Sequence, residues 1–566
     1  MRMDSLANRK ITKRIIQDVE GIFYMNIKTK KLLSILIVST LLLVNTVSVW
    51  SATKLTSISA FLDDEIKIAI NGKNNLLINE DGSQMSPIIY NNRTYLPLRS
   101  LAKFIGIDIG WDENEHTVKV TTDNKNISGI SGKGMPDISP EMNSPNYWIG
   151  LHSDSNKVIL DEDGIEAFNK KITTAKDTKV YDLKNYPESL TKHRLAKYIN
   201  ELPVPDEDRY IDENKVKKEY YNPIKQNMDI AGIKDNNSIL YAFTIKRTNL
   251  RTLPVKDPSY SEPNDFEFDY FQETAVETSE PILVLYKTLD NNWFFIQTSN
   301  YRGWVDSKDI AIAKTKSEWL SFLSEKNFIV VTANKLRLSI NPYTPALSEL
   351  EFGMGCRLPV FTAENQPNTV DGQTSVGNVV VKVPVRNTDG LLEFKNALIP
   401  CSSDISYGYL PYTKSNIIKQ AFKMLGDRYG WGGLFGSHDC SSLVCDVYKS
   451  FGINMPRNTT EQELLPCTTI SFSNESYEKR AAIISNVQVG SALYMPYHTM
   501  IYLGTVGGKQ YVIQSVYSYG DKNKPKPKGG LERVVVNGIV ISNLDLLTRG
   551  TAKTFLEALT SAKTIK

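Results

Sequence analysis

The periodicity of hydrophobic and polar residues changes several times along the chain, and the first change lies near the amino terminus. An uncharged apolar run covers residues 32–53 and follows Lys28, Lys30 and Lys31. A basic stretch before an apolar run with a more polar end is typical of a secretory signal peptide, although this run is also long enough to remain as one membrane anchor. We therefore assign 1–52 to an extension plus a signal peptide or anchor, and we expect a secreted or cell-surface protein associated with the cell wall.

Two features of this segment stay open. Val49 and Ser51 fit the −3 and −1 positions of a cleavage site. Residues 1–24 are polar and precede Met25, so translation can begin at Met25 instead. The sequence gives no role to residues 1–24.

Short β-like runs alternate with turns in the next region. Residues 62–122 combine such runs with an amphipathic stretch, Leu96 to Ile105, which predicts a short helix in a small α+β unit. Residues 123–145 are rich in Gly, Ser, Asn and Pro without periodicity, so they predict a linker. From 146 to 235 strand and helix patterns predict an α+β domain, whose first helix Asp161 can cap.

Two later regions show only strand-like patterns. In 236–313 turns recur about every 8–12 residues between short apolar alternations, and in 314–404 the rhythm returns more loosely, so each region predicts a small β-barrel. Residues 405–550 differ because two helical patterns, Ile417–Leu425 and Ser441–Phe451, precede alternating strands. The predicted fold class is therefore multidomain and ends in an α+β domain.

Composition changes this picture little. Apolar residues make up 41% and charged residues 23% of the chain, as in ordinary globular proteins. A net charge of +3 from 66 basic and 63 acidic residues, without a long basic run, argues against nucleic acid as a partner. Residues 1–51 hold eight Lys or Arg and three Asp or Glu, a net +5, so the rest of the chain carries −2.

The strongest chemical candidate is Cys440, which follows Asp439 at the start of the second predicted helix of the last domain. Unpaired N–H groups and the positive end of the helix dipole favour a thiolate there and can stabilise an oxyanion. A nucleophilic cysteine needs a base, and the chain has five histidines: His116, His152, His193, His438 and His498. His438 lies two residues before Cys440, where we expect the turn to aim its ring elsewhere.

His498 is the better base because it opens an alternating strand. A Gly507–Gly508 turn follows, and then a second strand that contains Gln514. In such a hairpin the two side chains can face the same side on adjacent strands. Gln514 can then hydrogen-bond the imidazole and set its tautomer, which gives a Cys–His–polar triad.

The order of the motifs carries the assignment further. They are Y-G-W-G-G with D-C-S-S-L-V, G-I-N-M-P-R-N, H-T-M-I-Y-L-G and Y-V-I-Q-S. In order and spacing they resemble the NlpC/p60-type family of bacterial cell-wall cysteine peptidases, over about residues 145–550. The resemblance implies a papain-like α+β catalytic domain and cleavage of peptidoglycan stem peptides between D-γ-glutamate and the diamino acid at the third position. By resemblance Cys440 is the nucleophile, His498 the base and Gln514 the orienting residue.

The same resemblance implies a substrate-binding set. Tyr429 matches a tyrosine near the oxyanion site, and Asp439 and Ser441 match positions that hold the free amine of a terminal L-Ala. Two residues depart from the pattern: Gln514 stands where the closest-looking branch usually has His, and Ser442 replaces a common Gly. Neither change removes a reacting group, so we expect an active cysteine endopeptidase.

The other modules resemble companions of these peptidases. The stretch L-D-N-N-W-F-F-I-Q-T-S-N-Y-R-G-W-V-D-S-K-D-I resembles bacterial SH3-like domains, which makes the predicted barrels SH3-like, and 146–235 resembles the N-terminal domain of the peptidases. The stretches N-R-T-Y-L-P-L-R-S-L-A and G-W-D resemble the copper amine oxidase N-terminal-like domain, which implies a stalk without copper chemistry. Arg251 and Tyr270 of the first predicted barrel can approach the cleft.

Other functions stay open at this point: a non-catalytic peptidoglycan-binding wall protein, or an amidase or acyl transferase on the same fold. We expect peptidoglycan or muropeptides as partners, a membrane contact only if residues 32–53 are retained, and a monomer. No cofactor or metal is expected, because Cys356, Cys401 and Cys467 lack C-x-x-C spacing and histidine neighbours. Cys445 is predicted to pack in the core.

Overall fold

The structure, a computed structural model, describes residues 134–566 continuously and short segments of the region before them. Those segments are 58–62, 68–70, 73–75, 84–90, 93–96, 98, 107–112 and 117–122. The predicted signal or anchor segment at 1–52, most of the helix predicted at Leu96–Ile105, and His116 lie outside the described residues. Within the described part of the chain, no helix has the length and apolar character needed to cross a membrane.

Residues 1–127 form one compact unit and residues 128–566 a second. The described strands of the first unit are β1 (Phe61–Leu62), β2 (Ile68–Ile70), β3 (Lys73–Asn75), β4 (Ile88–Tyr90), β5 (Arg93–Tyr95), β6 (Ile107–Asp112) and β7 (Thr117–Thr122). They pair antiparallel, in the order β1-β4-β5 and as the hairpins β2–β3 and β6–β7.

The second unit begins with short helices and strands. These are α1 (Pro145–Gly150), β8 (Val158–Leu160), α2 (Glu162–Thr174), β9 (Ser189–Thr191), α3 (Lys192–Asn200), β10 (Tyr210–Ile211), β11 (Asn214–Lys215), α4 (Tyr221–Met228) and β12 (Asn236–Ser238). Asp161 caps α2 as predicted, because its carboxylate accepts a hydrogen bond from the Gly164 N–H at 2.9 Å. Ile165 of α2 belongs to the core of the C-terminal domain, whereas Leu195 of α3 belongs to the core of the β-rich regions. Residues 146–235 therefore contribute to two cores.

The predicted linker at 123–145 is wrong at its C-terminal end. Met142 and Trp148 are buried in the core of the C-terminal domain, and the Trp148 indole N–H donates to the Met142 carbonyl at 2.8 Å. Lys509 lies 2.6 Å from the Asp137 carboxylate. These contacts order a segment that its composition predicts to be a linker. The sequence does not reveal them, because a single buried methionine and one ion pair leave no periodic pattern.

The next region, which we call the first barrel, is one antiparallel sheet of seven strands in the order β15-β14-β18-β17-β16-β13-β19. Its strands are β13 (Leu240–Thr244), β14 (Thr248–Arg251), β15 (Gln272–Val276), β16 (Pro281–Lys287), β17 (Trp293–Gln297), β18 (Arg302–Asp306) and β19 (Ile310–Ile312). Alternate residues of the strands enter two apolar clusters, and Phe295 and Trp304 are fully buried. The long connection from β14 to β15 projects toward the C-terminal domain.

The region that follows, the second β region, is less regular than the barrel predicted at 314–404. It contains α5 (Lys316–Leu323), β20 (Phe328–Val331), β21 (Lys335–Arg337), β22 (Glu351–Gly353), β23 (Arg357–Pro359), β24 (Thr369–Val370), β25 (Gln373–Thr374), β26 (Asn378–Arg386), β27 (Leu392–Pro400) and β28 (Ile405–Tyr407). These strands form a β23-β20-β28 sheet and three separate hairpins instead of one sheet. Their apolar residues share a core with the first barrel.

The C-terminal domain packs helices on a six-stranded antiparallel sheet. Its elements are β29 (Tyr412–Thr413), α6 (Lys414–Phe422), α7 (Cys440–Lys449), α8 (Thr459–Gln462), β30 (Thr468–Ser471), α9 (Tyr477–Ile484), β31 (Ala492–Met495), β32 (His498–Val506), β33 (Lys509–Pro525), β34 (Leu531–Asn543), α10 (Phe555–Ala558) and β35 (Ser561–Thr564). The strand order is β30-β35-β31-β32-β33-β34, and α7 packs on β32 and β33. Because β35 lies inside the sheet, the domain extends beyond the boundary predicted at residue 550.

Candidate active site

Helix α7 begins at Cys440, and its first turn is closed by a reciprocal cap. The Asp439 carboxylate accepts from the Ser442 N–H at 2.8 Å, and the Ser442 hydroxyl accepts from the Asp439 N–H at 2.9 Å. A glycine at 442 could not complete this pair, so the hydroxyl has a structural role at the position where the sequence departs from the expected pattern. The cap fixes Cys440 at the first position of the helix.

The side chain of Cys440 is nearly buried, with 7% of its surface exposed. Burial raises the pKa of the thiol to about 11 and the adjacent Asp439 charge adds to this, while the Thr499 N–H and the Thr459 hydroxyl oppose it. The Thr459 hydroxyl lies 3.9 Å from the sulfur. This shift is opposite to the expectation that the helix start favours a thiolate, because desolvation acts against the helix dipole. A base must take the thiol proton.

His498 is held by Gln514 on the neighbouring strand. Its Nε2 lies 2.6 Å from the Gln514 amide oxygen, and the Gln514 amide nitrogen donates to the Ser542 hydroxyl at 2.6 Å. The second bond turns the amide oxygen toward the ring, so the neutral imidazole carries its hydrogen on Nε2 and leaves Nδ1 free as the base. Burial lowers the pKa of His498, and the bond to Gln514 partly offsets this.

The fold places the three predicted catalytic residues on elements that pack against each other. Cys440 begins α7, which packs on β32, the strand that begins at His498. The pairing of β32 with β33 brings Gln514, which is fully buried, to the imidazole. The His438 ring lies elsewhere, as expected, with Nε2 3.0 Å from the Asp446 carboxylate.

Asp439 and Ser441 are engaged by an arginine that the sequence reasoning did not single out. Arg457 binds both oxygens of the Asp439 carboxylate, at 2.6 and 3.1 Å, and donates to the Ser441 hydroxyl at 2.8 Å. Burial opposes ionisation of Asp439, but Arg457 holds its pKa below the usual value. Arg457 also donates from Nε to the Thr274 hydroxyl of the first barrel at 2.6 Å. In the sequence, Arg457 is the arginine of the motif G-I-N-M-P-R-N.

The glycine-rich bend before α7 lies against the first barrel. Gly432 and Gly433 have φ angles of +53° and +81°, and a Cβ on Gly433 would lie 2.7 Å from the Ala275 Cβ. The Gln272 amide donates to the Gly432 carbonyl at 2.9 Å, and Arg247 donates to the Gly433 carbonyl at 2.8 Å. Only glycine permits both this backbone conformation and this approach.

Aromatic side chains continue the contact between the bend and the barrel. The Trp431 ring lies 5.5 Å from that of Phe268 and 5.8 Å from that of Tyr270, centroid to centroid. Tyr270 therefore reaches the bend, whereas Arg251 is buried in an ion pair with Asp269 at 2.5 Å. Tyr429 is also buried, and burial followed by the nearby Cys440 and Asp439 charges raises its pKa, so its phenol stays protonated.

The first barrel also contains a carboxylate, that of Glu273, on β15. Glu273 accepts hydrogen bonds from the Thr252 and Tyr301 hydroxyls, both at 2.5 Å, and is partly exposed. Burial and the Glu273 charge raise the pKa of Tyr301, whose hydroxyl also bonds the Asn458 side chain beside Arg457. Among the ion pairs of the described residues none involves Glu273, so its described partners are the two hydroxyl groups.

Cys440, His498 and Gln514 all lie in a segment that matches a known family. Residues 426–524 match the NlpC/P60 family, residues 258–306 an SH3 domain of the SH3b1 type, and residues 70–133 the copper amine oxidase N-terminal domain. The chain therefore carries an NlpC/P60 domain preceded by these two modules, which confirms the three resemblances. It is a multidomain protein of mixed α/β structure.

One solved structure with a TM-score above 0.5 supports the fold. An NlpC/P60 endopeptidase from Photobacterium damselae subsp. piscicida is similar with a TM-score of 0.60 at 18% identity, over 73% of this chain and 95% of that one. An NlpC/P60 family protein from Bacillus cereus ATCC 10987 matches at 19% identity over 57% of this chain and 99% of that one, with a TM-score of 0.36. No curated protein matches the chain in sequence.

Proposed function

We propose that the protein is a peptidoglycan stem-peptide endopeptidase that cleaves the bond between D-γ-glutamate and the following diamino acid. The observation that carries the proposal is that α7, which begins at Cys440, packs on the strands in which His498 is hydrogen-bonded to Gln514. A nucleophile helix packed on the antiparallel sheet that bears the base supports the papain-like arrangement. We also propose export through residues 1–52, action as a monomer at the cell wall, and a membrane contact only if 32–53 is retained.

The reaction follows from the positions of these groups. The Cys440 thiol passes its proton to His498 Nδ1 as the sulfur attacks the γ-carbonyl carbon. The Cys440 N–H at the helix start and the protonated Tyr429 phenol are the donors available to the resulting oxyanion. His498 then gives its proton to the leaving amine, and water activated by His498 hydrolyses the thioester. Gln514 keeps the imidazole in one tautomer throughout.

We propose that the enzyme prefers a free amino-terminal L-Ala. The resemblance assigns Asp439 to the ammonium group. Its carboxylate is already paired with Arg457, so its main role is to stabilise the cleft and not to bind the ammonium group. Glu273 supports the preference better, since its carboxylate, whose described partners are hydroxyl groups, lies on β15 beside the bend. An ammonium placed there would gain a charged partner that an acetylated amine lacks.

The test uses a synthetic tetrapeptide with L-Ala, γ-linked D-Glu, a diamino acid and D-Ala. We expect the wild type to release L-Ala-γ-D-Glu, detected by mass spectrometry, and Cys440→Ala to release none while its circular dichroism is unchanged. Cys401→Ser is the matched control, because Cys401 is exposed and should retain full activity. Release by Cys440→Ala at the wild-type rate would refute the proposal.

A second substrate tests the amine preference. Acetylation of the L-Ala amine should lower kcat/KM of the wild type by about 10-fold or more, and Glu273→Gln should remove most of this difference by slowing only the free-amine substrate. Equal rates on both substrates in the wild type would rule out the preference and leave the bond specificity intact.

A further inference from the structure

Strands β33 and β34 form a long hairpin whose tip is strongly basic. Residues 521–533 contain five basic side chains, at 522, 524, 526, 528 and 533, against Asp521 and Glu532, for a net charge of +3. The four lysines are exposed. Since residues 52–566 together carry −2, this tip concentrates positive charge on a chain that is otherwise slightly acidic.

The tip is an ordered element that holds these lysines in place. The Lys526 N–H donates to the Gly530 carbonyl at 3.0 Å, and the Gly529 N–H donates to the Lys526 carbonyl at 3.0 Å. Gly529 and Gly530 take φ angles of +90° and +77°, which close the turn. Just before it, Gly520 pairs with Arg533 and Pro525 with Leu531, so residues 521–524 bulge out of β33.

Little negative charge neutralises this tip. Lys524 lies 3.7 Å from Glu532, and this pair is exposed on both sides, which makes it weak. In the part of the chain that the structure describes, neither Lys526 nor Lys528 makes an ion pair. Four cations at alternate positions repel one another, and a ligand of opposite charge would relieve this repulsion.

We propose that the hairpin tip binds a linear polyanion whose negative charges are phosphate groups. Lys522 and Lys524 lie on β33, where alternate residues are roughly 6–7 Å apart, and Lys526 and Lys528 follow in the turn, so the positive charge extends from the strand into the turn. Lysine is a compact cation that suits phosphate oxygens. Residues 521–530 contain no large apolar or aromatic side chain that could enter a lipid layer, which favours a polymer over a membrane surface.

The site is separate from the catalytic centre. Gln514 lies on the same strand, but eleven residues before Pro525, a distance on the order of 30 Å along an extended chain. Binding at the tip therefore affects the location of the enzyme and not the reaction at Cys440. Occupation of the tip would keep the catalytic domain close to a phosphate-rich polymer while it works on separate peptide substrates.

The experiment measures binding of the full chain to poly(glycerol phosphate) over a range of salt concentrations. Four phosphate contacts predict a slope of log K against log [salt] near −3, and hence about 50-fold weaker binding at 200 mM than at 50 mM salt. The variant K522Q/K524Q/K526Q/K528Q should lose this binding and hydrolyse the soluble tetrapeptide as the wild type does. The control variant K157Q/K171Q/K176Q/K184Q loses the same charge from exposed lysines elsewhere and should still bind.

Three results would overturn the proposal: no binding by the wild type at 50 mM salt, equal binding by the hairpin variant, or equal loss in the control variant. Binding to vesicles with 30% anionic phospholipid but not to the polymer would assign the tip to a membrane and would also contradict it. Because peptide hydrolysis is recorded for each variant, failure of this proposal is distinguishable from failure of the proposed enzymatic activity.

Discussion

The first barrel and the second β region both precede the catalytic domain and share one apolar core, yet they contact that domain at different places. In the first barrel, Thr274 accepts a hydrogen bond from Arg457, the residue that clamps Asp439 beside the nucleophile. In the second β region, Asn334 donates to Asp427 at 2.7 Å, in the loop after α6.

A second pair of contacts shows the same difference. Gln272 of the first barrel donates to the Gly432 carbonyl in the bend that leads to Cys440. In the second β region, the Thr332 carbonyl accepts from Gln420 of α6 at 3.0 Å. The first barrel thus completes the cleft, whereas the second β region supports a helix behind it, although similar strand rhythms predict both.

The largest effect is expected at Arg457, through which the first barrel acts on the helix start. Arg457→Met leaves the Asp439 carboxylate buried without its partner, so we expect a loss of about 3–5 kcal/mol in the free energy of unfolding and almost no activity. Urea denaturation and kcat/KM measure the two effects. The double variant D439N/R457M should recover much of the stability, and a loss below about 1 kcal/mol in Arg457→Met alone would contradict the clamp.

The next effect compares two glycines of the bend. Gly433→Ala places a Cβ 2.7 Å from Ala275 at φ +81°, so we expect a loss of about 2–3 kcal/mol in the free energy of unfolding and a large fall in kcat/KM. Gly436→Ala is the control, since its φ is +66° but its nearest neighbour is the flexible Lys335 amine at 3.4 Å. It should cost about 1 kcal/mol and keep activity. Equal activity losses would mean that the barrel contact is not specific.

Two smaller substitutions distinguish a contact that only stabilises the fold from one that also affects activity. Gln272→Ala and Asn334→Ala each remove a hydrogen bond to the catalytic domain and should each cost about 1 kcal/mol in the free energy of unfolding. We expect kcat/KM to fall about 10-fold only in Gln272→Ala, because of these two bonds only that of Gln272 reaches the bend. If both variants lose activity equally, the two regions do not differ as described.

The smallest effect is a shift in pH dependence. His498 must be unprotonated to accept the thiol proton, and burial lowers its pKa below the ordinary 6.5, so kcat/KM should fall only in more acidic solution. The bond to Gln514 raises this pKa, so Gln514→Ala should move the acidic limb to still lower pH while reducing the maximum rate. An acidic limb that moves upward in this variant would show that Gln514 does not act as assigned.

The sequence alone predicted the elements that carry the proposed catalytic residues, because the information on these elements is local. Cys440 follows a capping residue, and the alternation of β32 and β33 places His498 and Gln514 on one face. The burial that raises the pKa of Cys440 was not predicted, since burial depends on elements far along the chain.

Residues that act through tertiary contacts were missed for the same reason. Glu273 and Arg457 lie in different domains, and their roles follow only from packing. Strand β35 is too short to show an alternating pattern, so its place inside the sheet was not predicted. In the sequence, the irregularity of the second β region was apparent only as a less regular spacing of its turns.

The most direct test of the account is to identify the covalent intermediate. The wild-type enzyme is quenched in acid during turnover of the tetrapeptide, digested and analysed by mass spectrometry. We predict an L-Ala-γ-D-Glu thioester on Cys440, and none in Cys440→Ala. An enzyme that turns over the tetrapeptide while Cys440 stays unmodified, or that carries the acyl group on another residue, would contradict it.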